Sequence, residues 1–219
     1  MLREGVHTGR SDASVGEIQP RIIQPGTALF FKFPASSSAR MEKSEIVGLS
    51  PEGTRDPLEV EEGEAIFVRG SNVKSISASS CTHLILIDPS RRLVGVAHAH
   101  PSHHVAALLD EWKRYSTAGD TLAYLVKGDG RPDMREDYAR ILADHGFKNI
   151  YSDFDTPVEG ESHPRGDNVT NVMARPDGSV VVERFASMDL TQGGVKYELN
   201  RGQSQMMESN LTFDESMAA

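Results

Sequence analysis

Between residues 27 and 98 the chain carries six short apolar runs in close succession: TALFFKF, EIVGL, AIFVR, VKSIS, HLILID and LVGVAH. Each is rich in β-branched or aromatic residues and bounded by Gly, Pro, Asp or Ser. Runs this short, with this punctuation, predict strands of a mainly β body. The intervening PSRR at 89–92 predicts a tight hairpin joining the last two.

Helical signals follow. Ser102 is a candidate N-cap, and Val105, Leu108, Leu109 and Trp112 fall at i, i+3, i+4 and i+7, which predicts a helix from Ser102 to Tyr115. After the strand LAYLV, Asp133 and Glu136 form a capping-box pair for a second helix. Its apolar stripe is Met134, Tyr138, Ile141 and Leu142, and Gly146 closes it. KNIYS and the hairpin VTNVMARPDGSVVVERF, turning on Pro-Asp-Gly, complete the set. The fold class expected is α+β: a mixed or antiparallel β body with a sandwich-type core and about two packed helices.

A length of 219 residues suits one domain, expected over 18–200, flanked by a flexible N-terminus at 1–17 and a tail at 201–219. The net charge of −9 argues against a nucleic-acid footprint, since phosphate neutralisation needs clustered Lys and Arg. A single cysteine cannot form an internal disulfide, and no basic segment precedes an apolar stretch near the start. No apolar run is long enough for a bilayer, so no membrane insertion is expected. These features predict a cytoplasmic protein, or one delivered into a host cell without a secretory signal.

The lone cysteine, Cys81, stands between small polar residues (Ser77 to Ser80) and the apolar run Leu84 to Ile87. A free cysteine usually behaves as a small buried hydrophobe. Here, however, a loop next to a rigid strand can offer backbone N–H groups to a developing oxyanion. The hairpin also returns His98, seventeen positions on, towards the start of the Cys81 strand.

At these residues the segment from Gly63 to Phe185 resembles the CheD family of bacterial chemoreceptor glutamine deamidases. Their Cys-His site also occurs in deamidating toxins such as the cytotoxic necrotising factors. The matching residues are Gly63-Glu64, Ser80-Cys81, Asp88, Gly95 to His98 and Pro101, and the family's threonine falls on Ser75. The resemblance implies a CheD-like core over about 63–185. It also implies a bacterial protein acting in chemotaxis, or as an effector, on a receptor or host protein bearing an exposed glutamine, with no cofactor and no metal. Cys81 would be the nucleophile and His98 its base. The backbone N–H groups of Ser80 and Cys81 would form the oxyanion hole. Ser75, or a backbone carbonyl, would orient the imidazole.

Two rival readings come from other classes. His98, His100 and Pro101 form a His-x-His-Pro stretch like that of JAMM-type zinc isopeptidases, with Thr117 and Asp120 imitating Ser-x-x-Asp and Glu45 the upstream glutamate. Alternatively, the chain is a binding module that kept the fold without turnover. Trp112 is expected in the core, EVEEGE at 59–64 on a solvated face, and Asp88 as a turn residue accepting N–H bonds. His103 and His104 are expected as exposed first-turn residues, and Asp153 and Asp155 as candidates to line the site from its far edge.

Overall fold

The four consecutive apolar residues Leu84 to Ile87 leave no polar face, which requires a strand covered on both sides. The computed structural model supplies that arrangement. It describes residues 20–34, 41–47, 58–78, 81–100, 105–127, 132–153, 169–185 and 194–211. The first strands are β1 (Thr27–Lys32), β2 (Glu42–Val47), β3 (Leu58–Val60), β4 (Glu64–Arg69) and β5 (Val73–Ala78). Next come β6 (Thr82–Asp88), β7 (Leu93–Ala99), α1 (Ala106–Trp112), β8 (Leu122–Lys127), α2 (Pro132–Asp144) and β9 (Asn149–Asp153). The chain then adds β10 (Val169–Ala174), β11 (Ser179–Phe185), β12 (Gly194–Asn200) and β13 (Gln203–Leu211).

Seven strands form one sheet in the order β2-β1-β4-β7-β6-β8-β9, and six form another in the order β13-β12-β11-β10-β5-β3. The pairing is antiparallel except for β8 with β9 and β3 with β5. The fold is therefore α+β with a mixed-sheet body and two helices among the described residues.

Strand alternation sorts the side chains into two apolar layers. Phe67, Leu84, Leu86, Ala97 and Leu125 project from the seven-stranded sheet onto Leu108, Leu109 and Trp112 of α1 and Tyr138 and Leu142 of α2. Ile66, Ile85, Ile87, Val94 and Tyr124 project from the other face onto Val172, Val180, Val182 and Tyr197 of the six-stranded sheet. Each fully buried aliphatic side chain contributes about 1.5–3 kcal/mol, so these two layers dominate the stability.

Several details depart from the sequence expectations. The first helix begins at Ala106 with Val105 at its N-cap position and no side-chain cap; Ser102 lies outside the described residues. Asp133, expected to cap α2, already lies within it, because Pro132 with its fixed φ suits the opening turn. Gly146, at φ 88°, ends that helix as expected. The stretch read as a tail supplies β13 through Leu211, joined to β12 by a two-residue turn in which Arg201 and Gly202 both have positive φ (47° and 80°). Residues 1–17 and 212–219 lie outside the described residues. No helix among the described residues is long and apolar enough to cross a membrane.

Candidate active site

The register of one hairpin sets the geometry. In the β6–β7 pair Thr82 faces Ala99 and His83 faces His98. Residues directly opposite share a face, so both imidazoles point towards the six-stranded sheet, and their ring centroids lie 5.1 Å apart at 52°. Cys81 immediately precedes β6, in a bend beyond the last ladder pair, so it stands at the end of the hairpin where His83 faces His98. Cys81 and His98 are each only 3% exposed.

Two of the glycines in the family-like motifs have structural reasons in this frame. Gly63 turns at φ 82°, and its N–H donates to the His98 carbonyl at 3.0 Å, fixing the end of β7. At Gly95 a Cβ would lie 2.7 Å from the Trp112 ring and 2.9 Å from Phe67, so only glycine lets β7 pass beneath α1. Trp112 is fully buried, as expected, and donates its indole N–H to Thr121 Oγ1 at 2.9 Å. Asp88 accepts from the Arg91 N–H at 3.2 Å and from the Ser90 and Ser116 hydroxyls at 2.6 Å each, which is the turn role expected of it.

Ser75 departs from the sequence expectation. Its Oγ partners are others than His98: it lies 3.1 Å from His83 Nδ1 and donates to the Val60 carbonyl at 3.2 Å. Strand β5 belongs to the six-stranded sheet, so its hydroxyl reaches across the interlayer to the first imidazole it meets, which is His83. At its other end, His83 Nε2 lies 2.9 Å from the Thr170 carbonyl. A carbonyl only accepts, so Nε2 carries the proton and Nδ1 of the neutral ring is an acceptor, competing with the Val60 carbonyl for the single Ser75 hydroxyl proton. Burial, with the neighbouring His98 and Arg184 adding to it, pushes the His83 pKa down to about 3, outweighing the opposing pull of the Thr170 carbonyl. Two charged imidazoles with centroids 5.1 Å apart would repel by about 3 kcal/mol at an effective dielectric near 20. His83 is thus held neutral.

Further side chains complete the polar end of the interlayer. Arg184 faces Thr170 across the β10–β11 pair and is buried. Its Nη2 donates to the Asp153 main-chain carbonyl at 3.2 Å and lies 3.5 Å from the Asp153 carboxylate. The same carboxylate accepts the Tyr197 hydroxyl proton. Asp153 is accordingly an anchor for Arg184 behind the His83 partner Thr170; Asp155 lies outside the described residues. On the helix side, burial and then the nearby Cys81 push the Tyr138 phenol up to about 12, and its O–H donates to the His100 carbonyl at 3.0 Å. Ser80, one of the two expected oxyanion donors, lies outside the described residues, as do Pro101, His103 and His104.

The zinc-type constellation is not brought together. Leu122, two residues after Asp120, pairs with Ile87, four residues along β6 from His83 and so about 13 Å from the His98 end. Thr117 Oγ1 donates to Asp120 at 2.7 Å in an exposed turn. Glu45 is level with Gly95 but three strands away, a span of about 14 Å. Among the described residues no three His, Cys, Asp or Glu side chains are grouped to hold a metal ion.

No protein-family model matches the chain, and no match is found among curated proteins. Among solved structures it is similar to the hypothetical protein YfiH of Bacillus licheniformis. The identity is 19%, the TM-score is 0.35, and the match covers 41% of this chain and 49% of that one.

Proposed function

We propose that the chain is a protein-glutamine deamidase, a thiol amidohydrolase that converts a glutamine side chain of a target protein to glutamate and releases ammonia. The observation that supports this reading is the β6–β7 register, which sets His98 opposite His83 at the end of the hairpin that Cys81 immediately precedes. The spacing and surrounding residues that resemble the CheD family support it from the sequence side.

A thiol with an ordinary pKa is only a few per cent ionised at neutral pH, so His98 takes the Cys81 proton as attack begins. The Cys81 sulfur bonds to the carboxamide carbon, and the N–H groups of Ser80 and Cys81 receive the resulting oxyanion. Collapse of that intermediate breaks the C–N bond, and His98 returns the proton to the departing ammonia. Water, deprotonated by His98, then attacks the thioester, releasing glutamate and the thiol. No cofactor or metal enters the sequence. The substrate is a receptor or host protein with an exposed glutamine, met in the cytoplasm of the producing cell or, for an effector, of a host.

Incubation with candidate proteins, followed by mass spectrometry for the Gln-to-Glu shift and by ammonia assay, tests the reading. Cys81→Ala and Cys81→Ser are expected to abolish both signals while leaving the fold intact, and a strong chelator is expected to change nothing. Full activity in Cys81→Ala would overturn the thiol mechanism. Loss on chelation with rescue by zinc would move the chemistry to His98 and His100.

A further inference from the structure

We propose that His83 is the positioning residue for His98, and that Ser75 acts on His98 through His83 instead of touching it; this rests on the Cys81–His98 reading above. Four observations converge. His83 faces His98 directly in the ladder, and the two rings meet at 5.1 Å between centroids. Both polar ends of the His83 ring are committed, Nδ1 to Ser75 and Nε2 to Thr170, so its rotation is fixed. Both partners belong to the six-stranded sheet, whereas His83 itself is carried by the seven-stranded one. Finally, His83 is completely buried beside a layer built mostly from Ile, Val and Tyr side chains, where a leucine or phenylalanine would pack without any polar group to satisfy.

A ring clamped at both ends presents a fixed face. His98 packs against that face, so its own orientation follows from the clamp. The titratable and charged groups around the pair are Cys81, and Arg184 with Asp153. Because His83 donates from Nε2 to an obligate acceptor and accepts at Nδ1, it neither supplies nor removes the proton that His98 exchanges with Cys81. It is a wall with a set angle, and Ser75 sets the angle.

The test is a double-mutant cycle in the full chain. Iodoacetamide alkylation of Cys81 and the NMR titration midpoint of the His98 Hε1 proton are followed across pH. The proteins compared are wild type, Ser75→Ala, His83→Phe and the double variant, with His83→Leu replacing His83→Phe if the latter does not fold. Each single change is expected to slow alkylation about tenfold, the scale of losing an orienting partner, and to move the His98 midpoint. The double variant should be no worse than the His83 variant alone. His83→Gln, whose amide keeps one donor and one acceptor, should retain the wild-type rate. If Ser75→Ala moves the His98 midpoint equally with and without His83, the inference is overturned. If wild-type Cys81 alkylates no faster than a model thiol, the deamidase reading falls, while the His98 midpoints still decide the His83 relationship.

Discussion

Ser75 Oγ and His83 Nδ1 lie 3.1 Å apart across the boundary between the two sheets. With His83 Nε2 on the Thr170 carbonyl, this makes a polar bridge through a layer built from Ile, Val and Tyr side chains. Apolar contacts tolerate small slips between sheets, whereas two hydrogen bonds to one ring do not. The bridge therefore fixes how the sheets register at the end where Cys81 sits.

The buried ring makes stability depend on pH. His83 has a folded pKa of about 3 against an ordinary value of 6.5. Below 6.5 the unfolded chain takes up a proton that the folded chain refuses until about pH 3, so the unfolded state binds more protons throughout that window. The contribution is whole above 6.5 and is lost, by up to about 1.4 kcal/mol per pH unit, as the pH falls through the window. Urea unfolding between pH 7 and pH 4 is expected to flatten by that slope in His83→Gln relative to wild type. Identical slopes for the two proteins would refute it.

Gly95→Ala tests the passage of β7 beneath α1. The added methyl would meet Trp112 at 2.7 Å and Phe67 at 2.9 Å, and both rings are fully buried. Overpacking of this kind costs about 1–3 kcal/mol. Trp112 is the only tryptophan of the chain, so its fluorescence reports the displacement directly. An unchanged emission spectrum with an unchanged melting temperature would contradict the packing described.

Tyr138→Phe removes the O–H that α2 gives to the His100 carbonyl. The expected loss is about 1–2 kcal/mol by denaturant unfolding at constant m value, the scale of one buried hydrogen bond. Because burial and Cys81 hold this phenol up to about 12, the same variant should delete the last step of the spectrophotometric tyrosine titration. Retention of that step would show that another tyrosine carries it.

The seven-stranded sheet was largely legible because burial on both faces writes uninterrupted apolar runs, as at Leu84 to Ile87 and Leu122 to Val126. Strand β12 was not read. It buries Val195, Tyr197 and Leu199 while Lys196 and Glu198 alternate on the more open side, a weaker signature next to a polar, Gly-rich stretch. The Arg201-Gly202 turn was the available clue. Strand β3, three residues long, exists only through its parallel pairing with β5, which no local pattern announces. At the site, hairpin arithmetic sufficed to bring His98 back towards Cys81. It could not reveal His83, since one histidine inside an apolar run carries no local sign of its partners, and the Thr170 carbonyl that holds it is 87 residues away.

That separation has a consequence for biosynthesis. A ribosome finishes the hairpin bearing Cys81 and His98 long before it reaches Thr170, so the nascent chain exposes both side chains without the carbonyl that clamps His83. Contacts of such sequence separation form late in folding. Under the deamidase proposal, Cys81 and His98 are therefore made early and aligned last, and a chain interrupted before β10 carries them in an unassembled, latent form.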